Sequence, residues 1–260
     1  MNKVIVVKIG GATLGNHDTA IEDIVTLQQQ GKQLLVVHGG GKLITEWLQK
    51  QGVPSRFIRG ERVTDQATLE VVTAVLAGLV NKDIAAAING LDGKAAGISG
   101  VDGVIIAGSI KDPEKGYVGT VEKVNTALLE TLLKGGFIPV VAPLGINLAG
   151  KAGQAPRWLN FNADFVAGEI AAAIGAEKLV FLTDVDGIRN QAGKRLPRLS
   201  PEEAEALVAS GVASGGMLPK VRACLHALPH TATTCIIDGR QPHNLLKEIK
   251  EGGTGTTIGA

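Results

Sequence analysis

Val4-Ile5-Val6-Val7-Lys8-Ile9-Gly10-Gly11 is an apolar run broken by one lysine and closed by two glycines. Its β-branched residues read as a strand. An ionised lysine is rarely buried without a partner. Lys8 therefore either reaches toward an anion at the strand end or carries its ammonium out to solvent. The glycines fit an anion, because residues without a Cβ let backbone N–H groups approach a phosphate or carboxylate closely. The order of lysine before glycine excludes a P-loop, in which the glycines come first. No G-x-G-x-x-G follows this strand, which excludes a dinucleotide-binding turn as well.

Outward from this stretch, short apolar runs alternate with helix-period segments. That alternation is the mark of an α/β chain built as a three-layer αβα sandwich around a central, mainly parallel sheet. Ile21, Ile24, Val25 and Gln28 trace a helical face, and Gln33–Val37 reads as the second strand. His38-Gly39-Gly40-Gly41 then leads into a helix with Leu43, Ile44, Trp47 and Leu48 at three-and-four spacing. Arg56 to Asp65 reads as a hairpin or irregular stretch before a long helix from Asp65 to Asn89, whose stripe is Leu69, Val72, Leu76, Val80 and Ile84. Strands are expected at Ala95–Ser99, Val104–Ala107, Tyr117–Val124 and Phe137–Val141, with a hairpin across Ile146–Leu159. A helix from Ala163 through Ile174 hands over to a strand at Lys178–Thr183, and the loop Asp184–Ile188 follows at that strand's carboxyl end. Ser200-Pro201-Glu202-Glu203 is a capping box with proline at the first helical position. Gly215 to Lys220 opens another helix, and strands at Thr233–Ile237 and Thr254–Ile258 close the chain around a helix at Asn244–Lys250. No Pro/Ser linker interrupts this order, so two lobes, residues 1–170 and 171–260, are expected to share one continuous sheet.

Composition narrows the function classes. The chain has 260 residues, 45% of them hydrophobic, enough for a full core and incompatible with disorder. With 26 basic against 25 acidic residues and only 3% aromatics it lacks the basic patch and stacking platforms of a nucleic-acid binder. No apolar run approaches the roughly 20 residues of a membrane span, and the start shows no signal-peptide pattern. A cytoplasmic protein without membrane or nucleic-acid partners is expected. Cys224 and Cys235 lack metal-site spacing and read as buried free thiols.

If the strands run parallel, Lys8-x-Gly10-Gly11, His38 to Gly41 and Asn160-Phe161-Asn162-Ala163-Asp164 meet along one sheet edge. Two glycine turns, a cation and a carboxamide/carboxylate cluster suit a multiply charged anion, and phosphoryl transfer is the natural chemistry. Together with Gly60-Glu61-Arg62-Val63-Thr64-Asp65, Gly116 to Asn125, Leu182 to Gly187 and Ser214 to Lys220, these motifs make the chain resemble the amino acid kinase family over essentially its whole length. Within that family it is most similar to the branch that phosphorylates N-acetylglutamate.

The resemblance implies that the N-terminal lobe binds the acyl substrate, N-acetyl-L-glutamate, and the C-terminal lobe binds ATP. It implies that Lys8 and Lys220 flank the transferring phosphoryl group, with Asp164 orienting both. Read alone, Lys220 would equally be a solvated first-turn lysine and Asp164 a helix-capping acid. Arg62, whose planar fork binds carboxylates bidentately, is implied on the substrate's α-carboxylate; a surface arginine is the alternative. Asn160, donor and acceptor at once, suits the acetylamino group, while Asn162 is equally a cap. Gly40 and Gly41 are implied at the reacting carboxylate, and Gly10, Gly11 and Gly40 at the phosphates, although turn duty alone would explain single glycines. Asp184, Asp186 and Gly187 would contact the nucleotide, and Val212, Ala213 and Ser214 would line its pocket. Mg²⁺ is expected on phosphate oxygens and water, without a protein ligand. His38 reads as structural.

Two residues depart from the family pattern: Lys42 stands where proline is usual, and Phe161 where a small aliphatic residue is usual. A homodimer built through the N-terminal lobe is expected, with weak or absent arginine inhibition, because the first strand begins near residue 3. The competing readings are a kinase of carrier-linked aminoadipate or glutamate or of another small acid such as carbamate, and a non-catalytic nucleotide or amino-acid sensor.

Overall fold

β1 (Val4–Ile9) is buried along its whole length and lies inside an eight-stranded sheet. The structure, a computed structural model, describes residues 4–10, 19–58, 60–150 and 156–259. The other strands are β2 (Gln33–His38), β3 (Phe57–Ile58), β4 (Glu61–Arg62), β5 (Ala95–Ser99), β6 (Ile106–Ile110) and β7 (Val118–Val124). They continue with β8 (Ile138–Ala142), β9 (Leu144–Asn147), β10 (Trp158–Phe161), β11 (Lys178–Thr183), β12 (Arg198–Leu199), β13 (Thr233–Asp238) and β14 (Thr256–Ile258). The helices are α1 (Thr19–Gln29), α2 (Gly41–Lys50), α3 (Gln66–Thr73), α4 (Asn81–Gly90), α5 (Ala127–Lys134), α6 (Ala163–Ile174), α7 (Pro201–Ala209), α8 (Met217–Ala227) and α9 (Asn244–Lys250).

The sheet order is β12-β14-β13-β11-β1-β2-β8-β5, and every pairing is parallel except β13 with β14. From β1 the chain builds first toward β2, β8 and β5, then returns to the other side through β11. The strand order thus reverses at β1, which opens the crevice where open α/β sheets place ligands. Side chains alternate across a strand. Val4 and Val6 join the core cluster that holds Val166, Ala167 and Ile170 of α6, whereas Ile5, Val7 and Ile9 join the opposite cluster with Ile24 of α1 and Val72. Lys8 continues the Val4 and Val6 series, so it emerges on the α6 face.

Strands β6, β7, β9 and β10 close into a small barrel beside this sheet. The hairpin expected across Ile146–Leu159 is the β9–β10 pair of that barrel. The strand expected at Val104–Ala107 begins later, at Ile106, because Asp102–Val104 form a 3₁₀ turn. The boundary at residue 170 falls inside α6, so the two halves share a helix as well as a sheet.

The long helix is present, but its middle, Ala74–Val80, is π-helical. The sequence carried the cause. At 100° per residue, three consecutive steps of four, Val72 to Leu76 to Val80 to Ile84, would drift about 120° off one face of an ideal α-helix. The wider π turn absorbs the drift, and all four residues are buried. Gln66–Gly90 is long and apolar enough to cross a bilayer, contrary to the reading of the separate runs; half of its most apolar stretch is buried inside the protein.

One polar junction joins distant parts of the chain. Asp23 of α1 is buried, and its carboxylate accepts from the ring of His243 at 2.8 Å and from the Leu246 amide at 3.0 Å. It therefore caps the amino end of α9, where a negative charge is favourable. The bond to Asp23 raises the His243 pKa above its ordinary 6.5. A raised folded-state pKa stabilises the fold fully below the ordinary value, and that contribution disappears as pH rises through the raised one. His243→Gln should accordingly lower the melting temperature more at pH 6 than at pH 8.5. An equal loss at both pH values would show that the ion pair contributes nothing.

Candidate active site

The cleft is built at the carboxyl ends of β1 and β2 and has a volume of about 220 Å³. Lys8 and Asp164 are both nearly inaccessible, and Lys8 Nζ lies 2.7 Å from Asp164 Oδ1. Asp164 stands in the first turn of α6, whose N-cap is the side chain of Asn162, accepting from the Asp164 and Phe165 amides. Asn162 is thus a cap, one of its two anticipated roles. The second Asp164 oxygen meets Lys220 Nζ at 3.1 Å. Lys220 lies in the opening of α8 and also donates to the Gly216 carbonyl at 3.0 Å.

Burial alone would raise the Asp164 pKa, but the Lys8 and Lys220 ammonium groups outweigh it and hold the carboxyl below the ordinary carboxylate value. Asp164 stays ionised, and its lowered pKa makes it a weak proton acceptor near neutrality. Two cations share one anion, so the triad keeps a net positive charge, and Lys8 and Asp164 line the cleft.

Arg62, at the end of the β3–β4 hairpin, is 8% exposed and has no acidic partner among the described residues. Its guanidinium donates to the Gly41 carbonyl at 3.0 Å, to the Thr45 hydroxyl at 2.8 Å and to the Ser55 hydroxyl, and lies 4.7 Å from the centre of the Phe57 ring. Burial lowers its pKa from the ordinary arginine value. Neutral groups hold the fork in place and leave its charge uncompensated. Asn160 donates to the Thr64 hydroxyl at 3.1 Å, and that hydroxyl donates to the Arg62 carbonyl at 3.0 Å. Arg62 and Asn160 are therefore positioned as one unit, and both line the cleft.

The apolar wall, which includes Ile44, Phe57, Leu76, Val118 and Pro143, was not singled out from the sequence. These residues come from five segments that only the fold brings together. Phe161 lines the cleft and is also core, its ring lying where any Cβ on Gly119 would sit. Gly40 and Gly41 line the cleft at the start of α2, an end with no side-chain cap. A Cβ on Gly40 would stand 2.7 Å from Leu76 Cδ2, so the Leu76 side chain in the π-helical turn would have to shift to admit one. Gly41 has no such neighbour, and a side chain would enter open space.

The remaining predicted residues lie elsewhere. The Gly10 amide donates to the Leu182 carbonyl at 3.1 Å, which extends the β1–β11 ladder and engages the amide expected at a phosphate. Gly11 lies outside the described residues. Asp184, Asp186 and Gly187 follow β11; Asp184 is exposed, Asp186 pairs with Arg189 at 3.1 Å, and Gly187 packs against Thr256. Of Val212, Ala213 and Ser214, which precede α8, Ala213 is buried in the core and Ser214 exposed. None of these six residues lines the cleft around Lys8. His38 is structural, as expected: its ring is buried, and burial brings its pKa down to about 4.

A model of the amino acid kinase family matches residues 3–238. The acetylglutamate kinase of Dehalococcoides mccartyi is 48% identical over 257 residues, which span 99% of this chain and 94% of that protein. The acetylglutamate kinase of Nostoc sp. is 45% identical over 98% of this chain and 87% of its own length. Among solved structures, carbamate kinase from Giardia lamblia bound to AMP-PNP superposes with a TM-score of 0.71 at 18% identity, covering 99% of this chain and 98% of that one. At that identity the likeness shows the fold. A sheet that reverses at β1, a charged cleft at that reversal and a family match over most of the sequence lead to one conclusion: the chain belongs to the amino acid kinase family.

Proposed function

We propose that the chain transfers the γ-phosphoryl group of ATP to the γ-carboxylate of N-acetyl-L-glutamate, giving an acyl phosphate for arginine biosynthesis. The observation that carries this reading is the Lys8–Asp164–Lys220 triad, whose buried members Lys8 and Asp164 line a cleft that also holds Arg62 and Asn160. The relatives named acetylglutamate kinase support the choice of acid.

A glutamate-type carboxyl, with an ordinary pKa of about 4.3, is already a nucleophile at pH 7, so the reaction needs no general base. A carboxylate oxygen bonds to the γ-phosphorus as the bond to the β,γ-bridging oxygen breaks, and ADP leaves with that electron pair. The obstacle is repulsion between two anions, and the surplus charge of Lys8 and Lys220 opposes it. Arg62 takes the α-carboxylate, Asn160 the acetylamino group, and the amino end of α2 at Gly40 and Gly41 presents amides to the reacting oxygens. Both Asp164 oxygens are engaged by lysines, so the cleft suits a Mg²⁺ that arrives on the nucleotide and is held by phosphate oxygens and water. A Mg²⁺ bound with the nucleotide would supply charge neutralisation at its phosphates.

Residues 1–170 form the acyl-substrate lobe, and residues 171–260 the ATP lobe. Asp184, Asp186, Gly187 and Val212 to Ser214 serve the nucleotide; Ala213, with its side chain in the core, does so through its backbone. β5 ends the sheet on the side of the acyl lobe, and Leu91 and Phe137 are exposed just before β5 and β8. This edge supports a homodimer formed through the N-terminal lobe; the proposed place of action is the cytoplasm.

The reaction is tested by incubation with Mg-ATP and a panel of acids, with hydroxylamine trapping any acyl phosphate. N-acetylglutamate should give the strongest hydroxamate signal; a strong signal from another acid and none from N-acetylglutamate would overturn the substrate. Arg62→Lys keeps the charge and loses the fork, so the KM for the acid should rise about 10- to 100-fold, the loss of one charge-assisted hydrogen bond, with kcat changed far less. An unchanged KM would remove Arg62 from the substrate. Light scattering on the eluting protein should give twice the 26.8 kDa chain mass; a monomer or a hexamer would contradict the dimer.

A further inference from the structure

Behind the glycine turn lies a buried polar network that phosphoryl transfer, as described above, leaves unused. His38 Nδ1 is 2.9 Å from the Gly39 carbonyl, and Nε2 is 3.2 Å from Asn81 Nδ2. A carbonyl only accepts, so Nδ1 carries the ring proton and Nε2 accepts from Asn81. The Gly39 amide donates to the Ile9 carbonyl at 3.0 Å. Gly39 is thus held through both its N–H and its C=O.

In a trans peptide the carbonyl of one residue and the N–H of the next point in opposite directions. The Gly39 carbonyl is turned back onto the buried His38 ring, so the Gly40 N–H faces away from that ring. The side away from the ring is the cleft, which Gly39, Gly40 and Gly41 line and His38 does not. The Gly40 amide has no protein acceptor among the described residues.

Asn81 fixes the ring in turn. Fully buried, its NH₂ group also lies 2.8 Å from the Val140 carbonyl and 3.0 Å from the Ile98 carbonyl, in β8 and β5, so its two N–H bonds are shared among these carbonyls and the His38 ring. Its own oxygen accepts from Lys82 Nζ at 3.0 Å, and that ammonium also donates to the Gly97 carbonyl at 2.6 Å. A Cβ on Gly97 would overlap Asn81 Oδ1, so the bare position in β5 makes room for this amide. Asn81 directly follows the π-helical turn. Without the extra residue of a π turn it would be rotated by about 100° and would face away from His38.

We propose that His38, oriented by Asn81, is a positioning residue: it fixes the Gly39 carbonyl and thereby aims the Gly40 amide at an oxygen that gains charge during phosphoryl transfer. The proposal rests on the kinase reading for the nature of that oxygen, and on geometry alone for the aim of the amide.

Three substitutions separate this role from simple packing. His38→Asn keeps an N–H donor near the Nδ1 position. His38→Gln carries its amide toward the Nε2 position and loses the bond to Gly39, and His38→Leu removes both bonds. Kinetics are measured with whichever acid gives the strongest hydroxamate signal, so a wrong acid does not spoil the test. The glutamine and leucine variants should lose at least about 30-fold in kcat with little change in the KM for ATP, and the asparagine variant should stay within about threefold of the parent. A leucine variant within about threefold of the parent kcat, or an asparagine variant as impaired as leucine, overturns the proposal. ¹⁵N NMR of the ring in the unaltered protein tests it without a folding risk. A neutral ring protonated at Nδ1 at pH 7 is expected; protonation at Nε2 overturns the proposal.

Discussion

Asp164 holds two ammonium groups that the chain delivers from its first strand and from α8. Lys8 and Asp164 are buried and Lys220 is half-buried, and burying charges is costly unless each is paired and the geometry is close. Here the arrangement is met by the alternation of β1, which brings Lys8 out on the α6 face, and by the opening turns of α6 and α8. A lone buried Lys8 would carry its desolvation penalty without a partner, and a lone buried Asp164 would be driven toward its neutral form. The triad is thus the joint between the β1–β2 side and the α8 side of the molecule, and its surplus positive charge makes the joint a site for an anion.

The same economy of means recurs around the cleft. Arg62 is held by a carbonyl and two hydroxyls, all neutral, so its orientation is fixed while its charge stays available. A Cβ on Gly40 would meet Leu76, which the π turn keeps on one face with the rest of a drifting apolar stripe.

Much of this was legible in the sequence because it is local. The lysine in β1, the glycine turn after β2, the capping box at Ser200 and the Asn162 cap each declare themselves within a few residues. The small barrel did not, since the closure of β6, β7, β9 and β10 depends on pairings between distant segments. The apolar wall was hidden for the same reason. Gly10 shows the converse: a glycine after a strand reads as a phosphate ligand, yet its amide belongs to the neighbouring strand. Asp186 pairs with Arg189 and Gly187 packs against Thr256, so both also have structural partners. His38 was read correctly as structural, but its link to Asn81 depends on the π turn, whose only trace was a spacing of four repeated three times.

The central claim is that Lys8 and Lys220 act on the transferring phosphoryl group as a pair set by Asp164. It is tested most directly by kcat under saturating ATP and acid for Lys8→Ala, Lys220→Ala and the double variant, each confirmed folded. The account predicts a loss on the order of 10²- to 10³-fold for each single variant, with KM values far less affected. Full kcat in the Lys8→Ala variant would contradict it.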